Sequence, residues 1–201
     1  MKQIITTLLI LLISLITNAQ ENPPSLSGNM TDLEITTEKF ISKLQTNFEE
    51  SPERYMNSKH NDFTLATKTK STWSKTMTLK SKRCFKNHYQ QTVKQRLYFG
   101  FHYYATEENC NQAFDTLMKC LGTDCQPIHW GDEKTGLKTT PFIYLKSEKY
   151  IIFCKINCEH KNDFWEDIIR LIEADFKSEK FKIITADCGG PLTFITNEIN
   201  K

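Results

Sequence analysis

The order in which hydrophobic periodicities follow one another between residues 96 and 186 constrains the fold more than any other feature of this sequence. The first segment, RLYFGFHYYA at 96–105, places an apolar side chain at every second position, which is typical of a strand. The next segment, from Thr106 to Gly122, repeats apolar residues at intervals of three and four. This spacing predicts an amphipathic helix.

Two further strands, a second helix and a last strand complete this pattern. TPFIYLK and KYIIFCKINC are predicted to be strands joined by a tight turn at Ser147 and Glu148, and a capping box at Asp163 opens the second helix. KFKIIT, at 180–185, supplies the last strand. The order β-α-β-β-α-β predicts an α+β protein with a ferredoxin-like sandwich over residues 96–190, in which a four-stranded antiparallel sheet carries both helices on one face.

The N-terminal end of the chain is predicted to direct export. Lys2 precedes an apolar stretch at 4–16, and the small residues that favour signal cleavage end at Ala19. Residues 1–19 are therefore interpreted as a signal peptide. The mature chain is expected in the periplasm or outside the cell, with no membrane anchor after cleavage.

The remaining segments are assigned from their composition. Residues 20–35 contain Pro-Pro, Gly and Ser with few apolar side chains, which is typical of a flexible leader. Residues 36–95 are interpreted as an N-terminal extension, with a helix over 36–50 that Thr37 caps, followed by a basic, threonine-rich β-ribbon. Residues 191–201 are interpreted as a C-terminal tail.

Charge is distributed unevenly, although it nearly cancels over the whole chain. Lys and Arg number 26 and Asp and Glu 24, and a net charge of +2 does not indicate a nucleic-acid partner. Between Phe63 and Thr106, however, there are nine cationic residues and no acidic one. This segment is either the solvated face of an edge ribbon or a surface that binds anions, with Lys80, Lys82 and Arg83 as candidate contacts.

All seven cysteines lie after the predicted signal peptide, and an oxidising compartment favours disulfides. An odd number leaves at least one thiol without a partner inside the chain. We expect the first and third strands of the domain to be parallel neighbours, which brings Cys110 close to Cys158. The other expected pairs are Cys84–Cys188 and Cys120–Cys125, and Cys154 is the expected buried free thiol.

The sequence contains none of the motifs of common catalytic chemistry: it has no P-loop, no GxSxG, no HExxH and no CxxC. No cofactor, metal or catalytic residue is therefore predicted. A thiol-dependent enzyme is the alternative, because Cys188 lies in a turn and Cys84 precedes His88 by four residues. An inhibitory or otherwise protein-binding module is a third interpretation.

One face of the predicted sheet carries aromatic side chains. Tyr98, His102 and Tyr104 are expected to point away from the helices, and Phe153 of the neighbouring strand joins them. An open aromatic face is a surface on which a sugar, a peptide or a base stacks. Alternatively, the segment that precedes the domain packs over this face and makes it part of the core.

The order of elements, the export signal and the aromatic face together resemble the SPOR domain, a small βαββαβ module that binds glycan strands of bacterial peptidoglycan. The resemblance covers roughly residues 97–176, with YFGFHYYATEENCNQAFDTL as the first strand and helix and YIIFCKINCEHKNDFWEDII as the second. It implies a glycan-binding sheet. The sequence as a whole predicts a non-enzymatic, disulfide-stabilised binding module for an anionic or glycan polymer of the cell envelope, or for another exported protein, and no nucleic acid is expected.

Overall fold

The computed structural model describes the chain in seven stretches, which are residues 29–52, 71–87, 89–122, 124–132, 137–158, 163–178 and 180–197. The predicted signal peptide at 1–19 and the residue His88 lie outside them. Within these stretches, no helix is long and apolar enough to cross a membrane.

Three helices lie in the described stretches, and side-chain caps account for where two of them begin. The helices are α1 (Met30–Gln45), α2 (Glu107–Met118) and α3 (Asp163–Phe176). The side chain of Asn29 accepts a hydrogen bond from the backbone N–H of Asp32, and that of Thr106 accepts one from the N–H of Asn109. Such bonds satisfy backbone donors that have no partner inside the helix.

Seven strands form one antiparallel sheet. They are β1 (Phe48–Ser51), β2 (Trp73–Lys86), β3 (Thr92–Tyr103), β4 (Phe142–Lys146), β5 (Tyr150–Ile156), β6 (Lys182–Ala186) and β7 (Leu192–Thr196). Their order in the sheet is β1-β2-β3-β5-β4-β6-β7, and each neighbouring pair is antiparallel. The α+β class predicted from the sequence is thus confirmed.

The predicted four-stranded ferredoxin-like sandwich is not confirmed. The predicted strands correspond to β3, β4, β5 and β6, but β6 pairs with β4 and β7, and three more strands extend the sheet. The first and third of the predicted strands, β3 and β5, are neighbours as expected. They run antiparallel rather than parallel, however, with Leu97 opposite Ile156 and Tyr103 opposite Tyr150.

The two predicted helices lie on opposite faces of the sheet rather than on one face. Ile152 and Cys154 of β5 belong to a hydrophobic core that includes α1 and α3, whereas Ile151 and Phe153 belong to a core that includes α2. Successive side chains of a strand point to opposite faces, so the two cores lie on the two sides of the sheet. We name them the first face, covered by α1 and α3, and the second face, covered by α2.

Aromatic contacts on the first face make α1 an integral part of the fold. The Phe40 ring meets the rings of Phe99 and Phe101 on β3 at centroid distances of 5.5 and 6.1 Å, and that of Phe176 on α3 at 5.2 Å. All four side chains are fully buried. Edge-to-face pairs of this kind contribute about 0.5–1.5 kcal/mol beyond the burial of their area.

The structure corrects several boundaries. The helix α1 begins at Met30, inside the leader predicted at 20–35, and Thr37 is buried within the helix rather than capping it. The tail predicted at 191–201 contains β7, which pairs with β6. KTMTLKSK, predicted as half of a separate ribbon, belongs to the long strand β2, which pairs with β3. The segment FTLATKTK lies outside the described residues.

Candidate binding site

The aromatic residues predicted to stack on a ligand lie in the core of the second face. His102, Tyr104 and Phe153 are 1, 0 and 1% exposed, and Tyr98 is half-buried. The His102 ring lies 6.3 Å from that of Phe153 and 6.4 Å from that of Tyr104, and the rings of Tyr98 and Phe153 are 5.6 Å apart. Stacking on a ligand requires open ring faces. These residues therefore pack the fold instead of presenting a stacking surface.

The helix α2 and the loop after it supply the cover on this face. The buried residues that α2 contributes to the core are Cys110, Ala113, Phe114, Leu117 and Met118. The alternative interpretation of the sequence was that the segment preceding the domain packs over the aromatic face and makes it part of the core. The N-terminal helix α1 instead packs against the first face.

Burial also determines the protonation of two of these side chains. Desolvation lowers the pKa of the His102 imidazole to about 4, so that the ring is neutral at pH 7. Desolvation, with a smaller contribution from Cys110, raises the pKa of the Tyr104 phenol. Neither side chain carries a charge at neutral pH with which to bind an ionic ligand.

The β2–β3 hairpin extends beyond the rest of the sheet. β1 pairs with β2 only as far as Ser81, and β5 pairs with β3 only from Leu97. Residues 82–87 and 89–96 therefore form a two-stranded arm with no other strand beside it in the described part of the chain. We name this segment the basic arm, because its sequence contains five cationic residues and no acidic one.

Side-chain hydrogen bonds hold both ends of the basic arm. At its base, where the register of the hairpin shifts, the Ser81 hydroxyl accepts from the N–H of Gln95 and donates to the carbonyl of Arg83. At its tip, the side-chain carbonyl of Asn87 accepts from the N–H of Tyr89 at 3.0 Å. The described residues of the arm therefore form a hydrogen-bonded β-hairpin.

The three cationic residues predicted to contact a ligand lie on the arm or at its base. Lys82 and Arg83 are exposed, whereas Lys80 is half-buried opposite Glu49 of β1. The Lys82 Nζ donates to the carbonyl of Gln45 at 2.7 Å, at the C-terminus of α1. A cation is favourable there because the helix dipole is negative at that end. Lys82 thus contributes to the fold, and Arg83 is the better candidate contact.

Aromatic side chains accompany the charge on the arm. Phe85 is 37% exposed and Tyr89 is 70% exposed. Lys86, the next residue along β2, is also exposed, and its Nζ donates to the carbonyl of Gln90 at 3.1 Å. Lys94 pairs with Glu49 at 2.9 Å, and this hydrogen bond lowers the pKa of the Glu49 carboxyl. The arm therefore carries exposed aromatic rings as well as exposed cations.

The described residues contain two disulfides. Cys120–Cys125 is the pair predicted from its spacing. The second bond is Cys158–Cys188, whose Cα atoms are 5.3 Å apart. The predicted pairs Cys110–Cys158 and Cys84–Cys188 are therefore wrong.

Strand direction explains this error. β5 and β6 both run antiparallel to β4, so they end at the same edge of the sheet. Cys158 and Cys188 each follow one of these ends by two residues, which brings their sulfurs together. The helix α2 begins at the opposite edge, where the Cys110 thiol donates to the carbonyl of Ser147 at 3.6 Å.

Three cysteines are free, and they differ in accessibility. Cys84 is exposed on the basic arm, opposite Lys94, whereas Cys110 and Cys154 are buried. Burial raises the pKa of the Cys110 thiol to about 12 and raises that of Cys154 well above its ordinary value. Cys154 is the buried free thiol that was predicted.

Alkylation of the folded, unreduced protein is expected to modify Cys84 alone. Iodoacetamide reacts with accessible thiolates, and the thiols of Cys110 and Cys154 are neither accessible nor ionised at neutral pH. Mass spectrometry of the intact chain should show one adduct before unfolding in urea and three afterwards. More than one adduct on the folded protein, or more than three on the unfolded one, would contradict the assignment.

A thiol-dependent enzyme finds little support in this geometry. The Cys188 sulfur is bonded to Cys158 and so is not a nucleophile in this form of the protein. Cys84 is accessible, but His88, the residue with which it was paired as a candidate, lies outside the described residues. Among the residues that are described, no group of three or more metal-ligating side chains is present.

A cleft that no sequence pattern predicts lies between α2 and the loop that follows it. Its volume is about 300 Å³. The residues that line it are Phe114, Asp115, Met118, Lys119, Pro127, Ile128, His129, Trp130 and Lys182. The one feature of the sequence that could have indicated the cleft is Trp130, which lies in the loop shortly after two closely spaced cysteines, Cys120 and Cys125.

The fold and its cross-links define the class of protein: an α+β chain with a seven-stranded antiparallel sheet and two disulfides in its described part. Comparisons with protein-family models, curated proteins and solved structures give no match.

Proposed function

We propose that the chain is an exported, non-enzymatic binding module whose basic arm binds an anionic polymer of the cell envelope. The observation that carries the proposal is the basic arm: a hairpin that passes the ends of its neighbouring strands and bears five cations, no acid and two exposed aromatic rings.

The charge of the arm favours an anionic partner. One of its cations, Lys94, is paired with an acid, Glu49. Arg83 is exposed at the base of the arm and Lys86 near its tip. Clustered cations raise the local concentration of an anionic polymer and speed its association. The same cations disfavour pairing between the arms of two copies of the chain.

The exposed rings of the arm favour a polymer that contains sugars. Phe85 and Tyr89 expose ring surface on the arm, which the buried rings of the second face do not. Aromatic rings combine apolar area with a face that stacks on flat or weakly polar groups. A glycan with acidic substituents offers both kinds of contact.

The two disulfides and the predicted signal peptide support the exported location. Disulfides form and persist in oxidising compartments and are rare in the reducing cytosol. The bonds Cys120–Cys125 and Cys158–Cys188 lie in the part of the chain that follows the predicted cleavage site at Ala19. A protein cross-linked in this way is suited to a binding role outside the cytosol.

Replacing Arg83 and Lys86 together by glutamine is expected to weaken binding to a polyanion about 30-fold. Each cation near an anionic surface contributes about 1 kcal/mol, so two of them contribute about 2 kcal/mol. The measurement is the dissociation constant for dextran sulfate at low salt, with neutral dextran as the matched uncharged polymer. The affinity of the parent protein should fall steeply between 0.05 and 0.5 M NaCl, values that span the onset of strong screening.

The matched control variant replaces Lys39 and Lys177, two exposed lysines outside the arm, by glutamine. It loses the same charge and is expected to bind within threefold of the parent protein. An equal loss in the arm variant and the control, or affinity that does not depend on salt, would contradict the proposal. Failure of the parent protein to bind dextran sulfate at low salt would contradict it as well.

A further inference from the structure

We propose that the cleft beside Trp130 is a second binding site, separate from the basic arm, and that it takes a small aromatic or apolar carboxylate. The cleft lies on the second face, between the C-terminal half of α2 and the loop that contains Trp130. The cleft is separate from the arm. The arm belongs to β2 and β3, whereas Lys182 of the cleft lies on β6, and β5 and β4 lie between them in the sheet.

The inner surface of the cleft is apolar. Phe114, Met118 and Ile128 line it and are only 4, 7 and 4% exposed. The half-buried ring of Trp130 forms part of the same lining, 6.3 Å from the Phe114 ring and 4.9 Å from that of Phe194. An apolar, aromatic lining with a few charged groups is characteristic of sites for small molecules.

The charges at the cleft favour an anion. Asp115 of α2 and Lys119, which directly follows the helix, contribute one negative and one positive charge to the lining. Lys182 adds a second positive charge, with its Nζ 5.3 Å from the centre of the Trp130 ring. That lysine is half-buried, so its ammonium lies close to the apolar lining. A ligand with one carboxylate next to an apolar group therefore matches the lining.

The loop that forms one wall of the cleft is held at several points. The Cys120–Cys125 disulfide closes its beginning, and Leu121 and Gln126 exchange two backbone hydrogen bonds of 2.9 and 3.0 Å. The N–H of Ile128 then donates to the carbonyl of Met118 at 2.8 Å, which attaches the loop to the end of α2. A wall fixed in this way reduces the conformational entropy that a ligand must overcome on binding.

The size of the cleft limits the ligand to a small one. A volume of about 300 Å³ lies at the lower end of the range for small-molecule sites. One ring with a short acidic chain fits this volume, whereas a folded partner or a long oligosaccharide does not. We therefore take 3-phenylpropionate as the probe, with 3-phenylpropanol and 3-phenylpropylamine as neutral and cationic probes of matched size.

The test is a titration of the ¹⁵N-labelled protein followed by NMR at the Trp130 indole N–H, assigned with a Trp130→Phe variant. 3-Phenylpropionate is expected to shift this resonance saturably and to bind about tenfold more tightly than the alcohol or the amine, the ratio that one charge-assisted contact supplies. Lys182→Gln is expected to reduce the preference for the acid over the alcohol to about twofold or less.

The control variant is Lys138→Gln, an exposed lysine outside the cleft, which should leave the preference for the acid unchanged. The arm variant, with Arg83 and Lys86 replaced by glutamine, should also bind the probe as the parent protein does, so that the two proposals stand or fall separately. No saturable shift with the acid, an amine that binds as tightly as the acid, or a preference that survives Lys182→Gln would overturn the proposal.

Discussion

Replacing Cys158 and Cys188 together by alanine is expected to lower the free energy of unfolding by about 3.6 kcal/mol. The bond joins residues 30 positions apart, and a cross-link of this span removes conformational entropy mainly from the unfolded chain. In the folded protein it joins the segments that follow β5 and β6 at one edge of the sheet. Urea denaturation at pH 7 without reductant, analysed by linear extrapolation, measures the change.

The second disulfide provides the matched control. Cys120 and Cys125 are five positions apart, and for so short a loop the same relation predicts a loss of only about 2 kcal/mol when both are replaced by alanine. The long-span bond should therefore contribute more than the short one. An unchanged free energy of unfolding without Cys158 and Cys188, or a larger loss at the short bond, would contradict the pairing or its entropic origin.

Helix and strand types between residues 96 and 186 were predictable from the sequence because their periodicities are properties of neighbouring residues. The helix predicted over 36–50 is correct only in part, since α1 ends at Gln45 and Phe48–Ser51 forms β1. The predicted strands and both C-terminal helices are present as β3, β4, β5, β6, α2 and α3. The strand order was not predictable in the same way, since the apolar pattern of β6 does not specify whether β3 or β4 lies beside it. Pairing depends on contacts between residues far apart in the sequence.

That both faces of the sheet are covered was predictable from the apolar runs of β4 and β5, which the ferredoxin-like interpretation does not take into account. Every residue of FIYLK in β4 and of YIIFCKI in β5 is buried. Continuous apolar runs of this kind are typical of strands that are covered on both faces, whereas a strand with one solvated face alternates. The same reasoning applies to the aromatic side chains of β3, whose burial follows from α2 lying on the second face.

The two candidate sites differ in how far the sequence indicates them. The charge of the basic arm is visible as a run of cations, and Arg83 was among its predicted contacts. That the arm passes beyond the sheet depends on where β1 and β5 stop pairing, which is a tertiary feature. The cleft depends on a loop packing against α2, so no local pattern brings Trp130 and Lys182 together.

His102 makes the stability of the fold depend on pH. Its side chain is 1% exposed, and desolvation lowers the pKa of the imidazole from 6.5 to about 4. Between these two values the unfolded chain binds a proton at this position and the folded chain does not. The contribution of the neutral ring to stability is therefore complete above pH 6.5 and is lost as the pH falls toward 4.

Lowering the pH from 7 to 4 is expected to reduce the free energy of unfolding by about 3 kcal/mol through His102 alone. His102→Phe keeps a ring that stacks on Phe153 but cannot bind a proton, so this variant should lack that component of the pH dependence. Urea denaturation of both proteins at the two pH values measures it. Glu49, whose pKa is lowered, also makes acidification destabilising. The contribution of such acids is the same in both proteins, so it cancels when the pH dependence of the variant is subtracted from that of the parent protein.

The control variant is His129→Gln, which removes an exposed histidine from the loop after α2 and so tests whether the loss of any imidazole has the same effect. NMR gives an independent reading, in which the His102 ring should titrate near pH 4 rather than near 6.5. Equal pH dependences in the parent protein and the His102→Phe variant would contradict a neutral, desolvated imidazole on the second face. A His102 ring that titrates near pH 6.5 would show that solvent reaches it, and would return the aromatic residues around it to the set of candidate ligand contacts.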